Sequence, residues 1–131
     1  MMMADKPADK EINLLTEQII GCAVRIHGQL GPGFPKDIYE NFLSYELQKK
    51  NLSYSSQPVV TLKHKGVELG NQKADMVVED KVVVELKSAS CIEELFKYQM
   101  LSYLNISGKT VGIILNFGAE ELEIKRMEKN N

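Results

Sequence analysis

From about Glu11 to His27, apolar residues recur at helical spacing: Ile12, Leu15, Ile19, Cys22, Ala23 and Ile26, with Leu14, Ile20 and Val24 widening the stripe. The pattern predicts a largely buried first helix. Gly28-Gln29-Leu30-Gly31-Pro32-Gly33 stops it, because Pro32 cannot continue a helix and the glycines accept backbone angles other residues avoid. Pro35 suits the first position of a second helix, Asp37 faces the positive end of its dipole, and Tyr39, Phe42, Leu43 and Leu47 supply its apolar face up to about Lys50. After a polar link from Ser53 to Gln57, Pro58–Lys65 alternates as a strand, and Gly66 turns the chain into Val67-Glu68-Leu69. Two Val-rich runs around Glu79-Asp80-Lys81 then read as a hairpin. Ile92, Leu95, Phe96, Met100, Leu101 and Leu104 predict a helix to about Asn105, ended by Gly108. Val111–Phe117 is too continuously apolar for a surface strand, so burial on both faces is expected. Leu122–Met127 alternates as an edge strand. The expected order is α-α-β-β-β-α-β-β, an α/β fold with a mixed sheet flanked by helices and one parallel right-handed crossover.

Length adds that 131 residues make one domain with a real core: a loose tail over residues 1–10, then a single unit over 11–131. Hydrophobic residues at 44% and charged ones at 26% exclude a disordered or fibrous chain. No apolar run approaches the roughly 18 residues of a membrane span, and Met1–Lys10 lacks the apolar core of a signal peptide, so a cytoplasmic location is expected. Cys22 and Cys91 have no Cys-x-x-Cys spacing and read as reduced thiols. A net charge of −2 gives no global attraction to nucleic acid, so such binding would rest on local basic patches or a bound metal.

The central hairpin carries the chemistry. If its loop is residues 79–81, Val78 lies opposite Val82, Asp75 faces Glu85, and Lys73 faces Lys87. Asp75, Glu85 and Lys87 then share one side of the sheet, with the carboxylates about 4.5–5.5 Å apart at Cβ. A two-residue loop would put the acids on opposite faces. From spacing alone, a solvated strand face opposite a Val-rich core face is the plainer account. The sharper one sets a divalent cation between the like charges, where hard oxygen ligands suit Mg²⁺ and a lysine two residues on would stabilise phosphate charge.

Asp75, nine residues, then Glu85-Leu86-Lys87 resembles the signature of the PD-(D/E)xK nuclease superfamily, with its restriction-endonuclease-like fold. With Ile26–Phe34, Gln99-Met100-Leu101-Ser102-Tyr103-Leu104 and Leu115-Asn116-Phe117-Gly118, the chain resembles its small GxxExxY branch from about Leu15 to Phe117. The resemblance implies that Asp75 and Glu85 hold Mg²⁺ (or Mn²⁺) and that Lys87 assists the attacking water. Gln99 and Tyr103 match a Gln-x-x-x-Tyr motif that would order the lysine or contact the phosphate; otherwise they read as a polar helix face beside a core tyrosine. His27 would cap the first helix or point into the site.

One position departs from that pattern. The glutamate of Gly-x-x-Glu-x-x-Tyr falls on Lys36, which removes a metal ligand and adds repulsion. Asp37 is turned about 100° around the helix, whereas Glu40 lies one turn along the same face, roughly 6 Å away, as a replacement ligand. Alternatively Lys36 salt-bridges Asp75 or Glu85 in a metal-free cluster, or meets substrate. Two functions follow from these readings: a metal-dependent nuclease hydrolysing phosphodiester bonds in DNA or RNA, impaired by Lys36, or an inactive nuclease-fold protein that binds nucleic acid or a protein partner. A homodimer is left open, and no membrane partner is expected.

Overall fold

A computed structural model describes residues 7–129. Helix α1 runs Pro7–Leu30 and α2 Lys36–Lys49. Strands β1 (Tyr54–Ser56), β2 (Val59–His64), β3 (Val67–Lys73), β4 (Met76–Val78) and β5 (Val82–Lys87) follow. The chain finishes with α3 (Glu94–Ser107), β6 (Val111–Asn116) and β7 (Glu123–Glu128). Residues 1–6 of the expected tail lie outside the described residues; Pro7–Lys10 instead form the first turn of α1. No helix among the described residues is long and apolar enough to cross a membrane.

The main sheet has the order β1-β4-β5-β6-β7, with β5 and β6 parallel across α3 and the other pairs antiparallel. The α/β class and the parallel crossover are as expected, but five strands, not three, separate α2 from α3. One addition is β1, inside the supposed polar link. Its polar residues give no strand pattern; it forms because Glu79 bonds Ser53 through both backbone and side chain, which brings Tyr54–Ser56 alongside β4. The other is β3, which extends beyond Leu69 to Lys73 and pairs with β2 in a separate two-stranded ribbon. Lys73 therefore pairs with Val59 and not with Lys87.

The hairpin register is the one a three-residue loop implies, with Val78 opposite Val82 and Met76 opposite Val84. Glu79 and Asp80 both take left-handed backbone angles, and Lys81 N–H closes the turn on Val78 C=O at 2.9 Å. Alternation then divides the core. Met76, Val78, Val82, Val84, Leu86, Ile113, Leu115 and Phe117 pack against α1 and α2. Val77, Val83 and Ile114 pack against Met100, Tyr103 and Leu104 of α3. β6 is buried throughout, as its unbroken apolar run requires, and β7 is an edge. Glycine at 112 lets α3 approach β6, since a Cβ there would collide with the Met100 sulfur.

Candidate functional site

The end of β5 carries Glu85 and Lys87 on the face that α3 covers. Period-two alternation sets them in line with buried Val83, and both open into a cavity of about 590 Å³ between α3 and the ribbon. Gln99 and Tyr103, one helical turn apart, line the same cavity with Phe96, Tyr98, Gln72 and Lys73. The Lys87 ammonium sits 4.3 Å from the centroid of the Phe96 ring, a cation–π contact that holds it at the cavity wall. Tyr103 is buried, its hydroxyl donates to Pro58 C=O at 3.3 Å, and burial with the nearby Glu85 charge raises its pKa.

Asp75 lies just ahead of β4, only 4% exposed. Its backbone N–H donates to Glu85 Oε1 at 3.0 Å, its Oδ2 accepts Leu86 N–H at 2.8 Å, and its Oδ1 is held by Lys36 Nζ at 2.5 Å. Asp75 is thus joined to Glu85, as the register implies, but it does not line the cavity that Glu85 and Lys87 share. Lys36 reaches it from the first turn of α2. Glu40, one turn further on, accepts a 2.8 Å hydrogen bond from Gln57, and burial and then the Asp75 charge raise its pKa. Burial also pushes Glu85 up to about 7, with Asp75 repulsion adding to it and Lys87 and Lys36 opposing it. Glu85 therefore changes charge near neutrality.

The turn ahead of α2 fixes where Lys36 begins its reach. Gly33 has φ 112°, a value side chains other than hydrogen rarely allow. The Tyr39 hydroxyl donates to Gly31 C=O at 2.6 Å and accepts Phe34 N–H, while its ring stacks on Phe117 at 4.6 Å. Ser88, immediately after Lys87, donates to Phe34 C=O at 2.8 Å. Asn116 is fully buried and clamps the next residue: its Oδ1 accepts Ala89 N–H, and its Nδ2 donates to Ala89 C=O and to Glu123. His27 stands apart from the cavity, with its Nε2 3.0 Å from Ala119 C=O and its ring beside Phe117.

A divalent ion does not fit this arrangement. Among the described residues no group of three or more His, Cys, Asp and Glu side chains is placed to hold one. The expected ligands Asp75, Glu85 and Glu40 are engaged by protein donors: Asp75 by Lys36 and Leu86, Glu85 by Asp75 N–H, and Glu40 by Gln57. Lys36 puts a positive charge against the oxygen that would coordinate. The sequence reading gave Phe96, Gln57, Tyr39 and Gln72 no place at the site: the partners of Gln57 and Gln72 lie 17 and 27 residues away, Phe96 read only as part of an apolar helix face, and Tyr39 alone carried a signal, as the last residue of the Gly33–Tyr39 motif.

A model of the PD-(D/E)XK nuclease superfamily matches residues 13–127. No curated protein matches the chain. Among solved structures, that of SSO0001 resembles it at a TM-score of 0.56 and 17% identity, over 72% of this chain and 50% of the other. This chain thus spans half the length of that structure. An alkaline exonuclease from Laribacter hongkongensis gives a TM-score of 0.49 at 9% identity, over 88% of this chain and 82% of its own.

Proposed function

The chain belongs to the PD-(D/E)XK nuclease superfamily, and from that premise we propose that it hydrolyses phosphodiester bonds of nucleic acid at the cluster around Glu85. One observation carries the reading. Glu85 and Lys87 open side by side into a cavity walled by Gln99, Tyr103 and Lys73, with Asp75 bonded behind Glu85. A carboxylate with a pKa of about 7 accepts a proton from water at neutral pH, the protonation range in which a general base is most effective. The Lys87 ammonium faces the negative charge that gathers on the phosphate oxygens as the water oxygen attacks phosphorus and the bond to the leaving sugar oxygen breaks, that oxygen taking its proton from solvent. Lys73 and Gln99 offer further donors to the backbone of a bound strand. Members of the superfamily generally depend on a divalent metal; in this chain Lys36 already occupies the Asp75 oxygen that would coordinate one. Within the superfamily, Gly33–Tyr39 and its anchoring of the turn support a place among the small GxxExxY proteins.

The test is cleavage of labelled single- and double-stranded DNA and RNA, with and without a chelator. Glu85→Gln and Lys87→Ala should each slow cleavage by about 100-fold or more with unchanged circular dichroism. Undiminished cleavage in both variants would remove the activity from this site. The Lys36–Asp75 ion pair favours a second reading, binding without cleavage. Wild-type protein that retards these strands in a gel and cuts none of them would establish it.

A further inference from the structure

The cluster of Asp75 and Glu85 holds a cation of its own, the Lys36 ammonium. We propose that Lys36 is the resident cation of the cluster: its ammonium stands where a divalent ion would meet Asp75, and the site is complete without metal. Three features carry this. The contact is close, 2.5 Å, to a carboxylate whose side chain is only 5% exposed. The other oxygen of Asp75 is already bound by Leu86 N–H, so an arriving ion would have to displace the lysine to gain a ligand there. Charge is also nearly balanced, because the ammoniums of Lys36 and Lys87 lie near the carboxyls of Asp75, Glu85 and Glu40. A dication added beside Lys36 would leave the cluster positive and place two cations in contact.

The lysine is built in, not incidental. It occupies the first turn of α2, whose start is fixed by Tyr39 on Gly31 and Phe34 and by Ser88 on Phe34. Its side chain is 40% exposed, so the arm runs in from solvent and ends on a buried acid. A longer route to the same charge, an ion drawn from solution, is unnecessary while the arm is in place. Removing it would leave a buried carboxylate with one backbone donor and a vacancy suited to a cation.

The inference rests on the proposed function only in taking this cluster as the working site, and its test reads the cation without cleavage. The purified 131-residue protein is titrated with Mn²⁺ alone by calorimetry, and its Tm is followed with and without the ion. Wild type should show no saturable heat at millimolar Mn²⁺ and no shift in Tm. Lys36→Glu should gain saturable binding at least tenfold tighter than any wild-type signal. Lys36→Ala should lose thermal stability that Mn²⁺ partly restores; if that variant does not fold, Lys36→Gln keeps a hydrogen-bond donor to Asp75 and should show the same restoration. Wild-type binding that Asp75→Asn removes would overturn the proposal, as would folded Lys36→Glu and Lys36→Gln proteins that bind no Mn²⁺. Absence of nuclease activity would refute hydrolysis at this cluster and leave the role of Lys36 standing.

Discussion

At the scale of single residues, Glu85 links fold and chemistry through one proton. Its folded pKa of about 7 lies above the ordinary 4.5, so between those values the folded protein binds a proton that the unfolded chain has released. The stability this contributes is full below pH 4.5 and is lost as pH rises toward 7. Urea unfolding from pH 5 to 8 should show wild type losing roughly 1–3 kcal/mol relative to Glu85→Gln, whose curve is flat with respect to this group. Cleavage should move the other way, rising through pH 7 as the base ionises. Asp75, expected on the face of Glu85 and Lys87, turns its carboxylate to Lys36 and does not line their cavity; only the shared face of Glu85 and Lys87 was legible in the sequence, because strand alternation follows directly from residue spacing. The Leu86 N–H that binds Asp75 was not, since a backbone donor leaves no mark on the sequence. His27 had two readings open, and it lies outside the cavity, bonded to a carbonyl 92 residues further along.

At the level of elements, two of the three helices each place one part of the site. α2 delivers Lys36 to the sheet end, and α3 forms the cavity wall with Phe96, Gln99 and Tyr103. The closeness of α3 depends on Gly112, where any side chain would meet Met100. Gly112→Val should therefore cost about 2 kcal/mol in urea unfolding, because overfilling a packed layer forces displaced side chains. The same displacement should weaken strand binding if the cavity is the site. Apolar spacing was sufficient to predict α1, α2, α3, β6 and β7 to within a few residues. β1 was missed because Tyr54-Ser55-Ser56 has no strand pattern of its own and is ordered by Glu79 from the hairpin. The ribbon was half seen, since Gly70, Asn71 and Gln72 interrupt its alternation.

Across the whole molecule, charge is close to balanced, and the basic groups at the cavity are few: Lys73 and Lys87 line it, with Lys36 behind Asp75. A strand bound there releases only the counterions those residues displace. The logarithm of its affinity should fall with the logarithm of salt concentration at a slope of about −2, against slopes near −10 for proteins that neutralise many phosphates. Lys73→Ala should reduce that slope by about one unit in a fluorescence-anisotropy titration. A steep slope would locate binding on another surface. The parallel β5–α3–β6 unit brings the end of β5 beside α3, and so sets Glu85 and Lys87 opposite Gln99 and Tyr103.

Periodicities of 3.6 and 2 act within a few residues and are written in the sequence, and with them the helices, the hairpin register and the shared face of Glu85 and Lys87. The choice among the roles open to Lys36 is made in three dimensions. Whether a lysine repels a metal, binds substrate or neutralises an acid depends on what stands opposite it in space. Here that is Asp75, 39 residues away in the chain, buried and already half satisfied by Leu86. A buried carboxylate is stable only beside compensating charge or donors, and the fold supplies that charge from α2.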